Sequence, residues 1–277
     1  MISTATQRPR ALISIVTCVY NNAAEIRGAV ESVLNQRGVD IEYIVVDGAS
    51  TDGTLEILQG YGSRIHKLVS APDRGIYDGL NCGVGLASGD YVGFLHSDDL
   101  FTDERSLHRL FAPLDNLATE AWPAAIYGDL VYVDKQRPDR VIRYWRSGPF
   151  NPRKLRDGWM PPHPSLYVRR DVMLTTGPFD IQLRIAADYR FMLQLFSQPL
   201  RFEYVPGVVV RMRTGGASNR SLKALLRKSR EDCDALRAAG IAPLRALLLK
   251  NLSKLPQFFW HKIQAKLCDM QGSRSLE

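Results

Sequence analysis

The 277-residue sequence is short of the features that most quickly assign a chain to a class. No run approaches the ~18 apolar residues of a membrane-crossing helix, so no helical span is expected. Cysteines are few: Cys18, Cys82, Cys233 and Cys268 show no C-x-x-C or zinc-type spacing. They read as reduced structural thiols, the first two within apolar stretches, and exclude a zinc module or disulfide scaffold. The phosphate-loop pattern G-x-x-x-x-G-K-[ST] is absent, and "GVGLASG" (83–89) falls inside a helical pattern, so no backbone cradle for phosphate is legible. There is no internal repeat and no low-complexity tract. The opening "MISTATQRPRALISIVTCVYNN" puts two arginines before only about seven apolar residues and lacks a small-residue cleavage site, so a buried first strand is expected there. The sequons at Asn219 and Asn251 then read as chance matches in a cytoplasmic protein.

A 45% hydrophobic content is enough for a sizeable core. Charge is unevenly placed. Residues 1–219 hold 24 basic and 24 acidic side chains, and residues 220–277 hold 12 against 5, so the whole formal charge of +7 lies downstream. A basic tail on a neutral body points to an anionic surface as partner.

The first hundred residues alternate. Strand-like "LISIVT" (12–17), "IEYIVVD" (41–47), "IHKLVSA" and "DYVGFLH" are separated by helical patterns in 23–36, in "STDGTLEILQGY" and in "IYDGLNCGVGLAS". Such alternation predicts crossover units and a mainly parallel α/β sheet, whose ligands bind beyond the carboxyl ends of the strands. Polar residues gather at those ends: Tyr20-Asn21-Asn22, Asp47-Gly48-Ala49-Ser50, Pro72-Asp73-Arg74 and Ser97-Asp98-Asp99. After residue 120, "AAIYGDLVYVD" and "DRVIRYWRS" read as an antiparallel pair, "AADYRFMLQLF" (186–196) as a helix and "RFEYVPGVVVRMRTGGASN" as a strand entering a glycine turn.

The adjacent Asp98 and Asp99 suit a hard divalent cation, because Mg²⁺ and Mn²⁺ take oxygen ligands and share them with substrate phosphates. The bland alternative is a cap on the next helix, a role that Thr102 and Asp103 could equally fill.

Four ordered blocks carry a resemblance: "ISIVTCVYNNAAEIRGAVESVLNQ", "YIVVDGASTDGT", "DRGIYDGLNCGVGLASGDYVGFLHSDD" and "IAADYRFMLQL". Over residues 11–215 the chain resembles the family 2 glycosyltransferases with the GT-A fold, especially bacterial enzymes of exopolysaccharide and colanic-acid assembly. The resemblance implies a GT-A domain over 11–219, with a nucleotide-binding half (11–115) and an acceptor half (116–219). It implies donor contacts from Thr17, Val19, Tyr20 and Asp47, from Asp73, Arg74 and Gly75, and from Tyr77, Asp78 and Asn81. The family's D-x-D falls on His96-Ser97-Asp98, placing a divalent cation on Asp98 and Asp99, and its catalytic base falls on Asp188. His96 departs from the family's usual Asp or Asn; a neutral imidazole there could bond a ribose hydroxyl, ligate the metal, or simply pack at the strand end. Asp188 has its own bland reading, a helix-start acid favoured by the dipole. His163, Arg211 and Arg213 are candidates for diphosphate or acceptor contact, with ordinary loop or surface roles as the alternative. Asp129 recurs in look-alikes without an assignable role.

The activity implied is inverting transfer of a sugar from a UDP- or GDP-linked donor to a hydroxyl of a glycan or polyprenyl-linked acceptor in surface polysaccharide synthesis. An acceptor hydroxyl needs a general base within ~3 Å. In the tail (220–277), Leu244, Leu248, Leu252, Leu255, Phe259, Ile263 and Leu267 recur at spacings of three and four among basic residues, with Pro256 dividing two helices. That stripe suits either the inner face of an anionic membrane or packing on the protein itself. Two rivals stay open: a sugar-nucleotide nucleotidyltransferase, whose Gly/Arg-rich loop is replaced here by "TCVYNN", and a non-catalytic nucleotide or membrane-surface binding module. Nucleic acid is not an expected partner, since the positive charge avoids the sheet.

Overall fold

The computed structural model describes residues 10–214, 222–253 and 257. Its first half is built by the predicted alternation: β1 (Leu12–Val19), α1 (Ile26–Leu34), β2 (Asp40–Asp47), α2 (Thr54–Gln59), β3 (Lys67–Ser70), α3 (Ile76–Leu86) and β4 (Tyr91–Phe94). β1 is buried along seven of its eight residues, as expected of a central strand covered on both faces. Its side chains divide by parity. Val16 and Cys18 join the core under α3, and Ile13, Ile15 and Val19 join the core under α1. Each fully buried aliphatic of this kind contributes about 1.5–3 kcal/mol.

The second half supplies β5 (Leu100–Phe101), α4 (Ser106–Phe111), β6 (Ala125–Val133), β7 (Val141–Trp145), α5 (Pro152–Leu155), β8 (Leu166–Arg169), α6 (Arg170–Thr176), α7 (Ala187–Phe196) and β9 (Phe202–Arg213). One mixed sheet runs β3-β2-β1-β4-β8-β6-β9-β5, with β7 on β6. β1 to β4 are mutually parallel, β8 enters antiparallel, and β6 and β9 run parallel to each other. The expected antiparallel pair is β6 with β7.

The tail contributes α8 (Leu222–Ala238) and α9 (Pro243–Leu252). Their inner residues Ala235, Leu236 and Ala246 are buried in the same core as Phe191, Met192 and Leu195 of α7. Gly158 permits this docking: it has φ +77°, and a Cβ there would meet the Ala246 carbonyl at 2.5 Å. Leu244, Leu248 and Leu252 point outward, exposed by 86%, 60% and 49%. Pro256 and the continuation of the stripe through Leu255, Phe259, Ile263 and Leu267 lie outside the described residues.

Two expectations need correction. Cys18 is buried, but Cys82 is exposed on the outer face of α3, because the apolar stretch around it forms a helix with one solvent side. Asp98 and Asp99 cap no helix, because strand β5 follows them directly; Asp103 bonds the Arg105 amide before α4 at 2.8 Å instead.

Candidate active site

The chain leaves β4 through a tight turn in which the Asp99 amide donates to the His96 carbonyl at 3.0 Å. That turn drives Asp99 inward. Its side chain is fully buried, and among the described residues neither carboxylate oxygen has a well-formed hydrogen bond. Burial, reinforced by the charge of Asp98, pushes its pKa well above the ordinary carboxylate range, with only the Arg213 backbone opposing. Asp98, Ser97 and His96 are half-buried at the mouth. Ser97 accepts from the Asn22 side-chain amide at 2.9 Å, tying this loop to the end of β1.

The neighbouring strand ends form one wall. Asp47 is buried at the tip of β2, accepting from Ser70 Oγ at 2.7 Å and from the Ser50 amide at 3.1 Å. Asn21 and Ala49 take left-handed φ values of 48° and 62°, a conformation that costs a non-glycine residue about 1 kcal/mol or more. Gly48 sits where a Cβ would lie 2.8 Å from Asp73 Oδ2, so β2 and the loop after β3 approach closely. Asp73 Oδ1 accepts from the Gly75 amide at 2.8 Å, and Arg74 pairs with Asp78 at 3.0 Å. Val19 is buried and Tyr20 is 65% exposed at the crevice. Thr17 faces the other way: its hydroxyl accepts from Tyr43 at 3.2 Å within the core under α1.

Asp188 forms the opposite wall, in the first turn of α7. The Tyr77 hydroxyl donates to the Ile185 carbonyl at 2.6 Å and lies 3.1 Å from Asp188 Oδ1. Burial and then the Asp188 charge push the tyrosine pKa up, so it stays protonated. His163 is buried, with its ring 5.0 Å from Phe94 and 6.1 Å from His96. Burial pulls it down to about 4 against the charge of Asp188, leaving a neutral imidazole whose Nε2 has no hydrogen-bond partner among the described residues. Burial also lowers His96, against the charges of Asp98 and Asp188. The charges of Asp98 and Asp188 thus both act on His96, which links the end of β4 to the start of α7.

Three predicted residues are engaged elsewhere. Asn81 donates to the Phe179 carbonyl at 2.9 Å and accepts from the Phe179 amide at 2.8 Å, which fixes the segment under His163. Arg213 forms an ion pair with Glu25 ahead of α1. Arg211 is half-buried on β9 opposite Leu100, and its charge reaches Asp103.

The sequence reading missed Glu231 and Lys250. Glu231 on α8 is buried and accepts from the amides of Arg184, Ile185 and Ala186, the three residues immediately before α7. Lys250 on α9 lies 3.4 Å over the Tyr189 ring and pairs with buried Asp232 at 3.0 Å. A signal existed: "EDCD" (231–234) holds three of the five acids in an otherwise basic tail. Lys250 also borders a cavity of about 290 Å³, lined by Arg143, Trp145, Arg146 and Trp159 among others.

With this geometry in hand, likeness to known proteins becomes informative. Residues 14–172 match the description "Glycosyl transferase family 2". The chain belongs to this family. A PGL/p-HBAD biosynthesis glycosyltransferase of Mycobacterium tuberculosis is 30% identical to this glycosyltransferase over 214 residues, covering 75% of the chain and 79% of the relative. Chondroitin synthase of Escherichia coli is 29% identical over 96% of the chain but only 38% of its own length. Among solved structures, mannosyltransferase PcManGT from Pyrobaculum calidifontis, in complex with GDP-Man and Mn²⁺, superposes with a TM-score of 0.60 at 18% identity, over 97% of this chain and 81% of that one. Staphylococcus aureus TarS 1–349 with UDP-GlcNAc gives 0.57 at 15% identity, over 86% and 70%. The fold of this glycosyltransferase is GT-A.

A divalent cation fits the residues present. Among the described residues no three His, Cys, Asp or Glu side chains cluster into a complete cage. Asp99 nevertheless offers two buried, unpartnered oxygens beside half-buried Asp98. Mg²⁺-type sites commonly use one or two carboxylates and take their other ligands from substrate phosphates and water.

Proposed function

We propose that this glycosyltransferase is inverting and metal-dependent, moving a sugar from a UDP- or GDP-linked donor to a hydroxyl of a glycan or polyprenyl-linked acceptor in bacterial surface polysaccharide synthesis. The observation that carries the reading is that Asp98, beside buried Asp99, and Asp188 both act on His96, so the carboxylate pair after β4 and the acid opening α7 come near one group. Asp188 would take the acceptor proton as the hydroxyl oxygen attacks the anomeric carbon, and the bond to the diphosphate breaks from the far side. A single displacement of that kind inverts the centre. The Tyr77 hydroxyl, bonded to the Ile185 carbonyl, lies against the Asp188 carboxylate, and Asp47, Asp73 and Tyr20 would line the nucleotide end. Asp98 and Asp99 would hold the cation, whose chemistry is to neutralise charge on the departing diphosphate.

Lys250 borders the cavity, lies over the Tyr189 ring and feels the charge of Asp188. It supports an acceptor approach from the α9 side. The exposed row Leu244, Leu248 and Leu252, on a tail that holds all the excess positive charge, supports contact with an anionic leaflet where a lipid-linked acceptor resides.

The test is thermal unfolding of the full chain with UDP-glucose, UDP-GlcNAc or GDP-mannose, in Mn²⁺ or EDTA. One donor class at a hundredfold excess over its Kd should raise Tm by about 5–10 °C, with Mn²⁺ only, and Asp98→Ala should abolish the rise. Asp188→Asn should keep the rise and lose turnover by about 10²–10⁴-fold. A shift indifferent to EDTA and to Asp98→Ala sinks the metal-diphosphate role. Full turnover by Asp188→Asn sinks the base.

A further inference from the structure

We infer that Glu231, on the C-terminal helix α8, is a positioning residue for Asp188, so that part of the catalytic geometry is supplied by the tail. The inference rests on the reading of Asp188 as the base. Helix α7 begins at Ala187 with Ala186 as its cap residue, and alanine has no side chain with which to cap. Glu231 instead fixes the chain that leads into the helix, from 45 to 47 positions away. Its Oε1 accepts from the Arg184 amide at 3.1 Å, and its Oε2 accepts from the Ile185 and Ala186 amides at 2.8 and 2.9 Å. These are charge-assisted bonds to three consecutive peptides, and Glu231 is only 9% exposed.

The clamp acts on the residues that set Asp188. Ile185 is held on both sides, its amide by Glu231 and its carbonyl by the Tyr77 hydroxyl, which lies 3.1 Å from Asp188 Oδ1. Only Ala186 and Ala187 separate Ile185 from Asp188, so displacement of this turn moves the carboxylate and its tyrosine together. An error of 1 Å in such a group costs about 10²-fold in rate. Asp232, the next residue of α8, does not reach this turn. It is paired with Lys250.

The experiment is a double-mutant cycle on the full chain, with water as acceptor. Nucleoside diphosphate release is measured from UDP-glucose, UDP-GlcNAc and GDP-mannose in Mn²⁺ for wild type, Glu231→Gln, Asp188→Asn and the double variant. In each turnover the bond from the anomeric carbon to the diphosphate oxygen breaks, the leaving group keeps the electron pair, and the water oxygen bonds that carbon while its proton goes to Asp188. Glu231→Gln should lower kcat by about 10–10²-fold with donor KM within about twofold, and should lower it no further in the Asp188→Asn background. A merely structural Glu231 would depress both backgrounds alike, which overturns the inference while leaving the base intact. If Asp188→Asn itself costs nothing, the base reading fails first, and no release by wild type from any donor removes both. Glu231→Asp, which keeps the charge but lacks the reach to all three amides, takes the same place in the cycle if the Gln variant melts below the assay temperature.

Discussion

A carboxylate taken out of water must be met by donors, and three acids in this protein are met differently. Asp99 is met by no well-formed hydrogen bond among the described residues, and only the Arg213 backbone bears on it. Asp47 is met by a hydroxyl and an amide at the strand tip. Glu42 gathers Lys67 Nζ at 2.7 Å, Ser14 Oγ at 2.6 Å, and the amide and hydroxyl of Ser88 at 2.7 and 2.8 Å. Burial alone would raise Glu42, but these partners pull it down to about 2. A depressed carboxylate stabilises the fold above its unfolded pKa of about 4.3, and that stability is lost as pH falls towards 2. Glu42→Gln should therefore cost on the order of 2–3 kcal/mol at pH 7, and the gap from wild type should narrow below pH 4; urea unfolding at pH 7 and pH 3 checks it. The residue types at the strand ends were legible in the sequence, because a parallel sheet collects its polar residues there. Side-chain direction was not. Thr17 turns into the core towards Tyr43, Asn81 spends both amide groups on Phe179, and Arg213 is taken by Glu25, each decided by a neighbour remote in the chain.

At the scale of elements, the first hundred residues were readable because each strand of a covered parallel sheet is a short unbroken apolar run. The seam around β6 was not, since β6 meets β7, β8 and β9 and its register with β9 shifts twice near Asp129. Asp129 gives that seam its centre. It accepts from Tyr144 of β7 at 2.6 Å, the Ser147 amide at 2.8 Å and Tyr204 of β9 at 3.0 Å, which is the role the sequence left blank. Asp129→Ala leaves three donors unanswered and should destabilise by about 2–4 kcal/mol, whereas Tyr204→Phe should cost about 1 kcal/mol. Denaturant titration with an unchanged m-value separates this loss from a change of fold.

Across the whole molecule, the charge asymmetry of the tail was plain from composition, but its two faces were not. Ala235, Leu236 and Ala246 are packed on α7 while Leu244, Leu248 and Leu252 look outward. The outward row predicts co-sedimentation with vesicles rich in phosphatidylglycerol, weakened by Leu244→Ser with Leu248→Ser and by 0.5 M salt, with donor-induced thermal shifts unchanged. Equal sedimentation with neutral vesicles would remove the electrostatic part. The inner face bears on something else, the exchange of parts between relatives. The family match ends at residue 172, before Asp188, and the charge break at 220 invites a join there. A chimera joined at 220 would give α7 a stranger's helix in place of Glu231, whereas one joined after Gly240 would carry α7 and its acceptor across together. A working exchange therefore has to move α8 together with the helix start it holds.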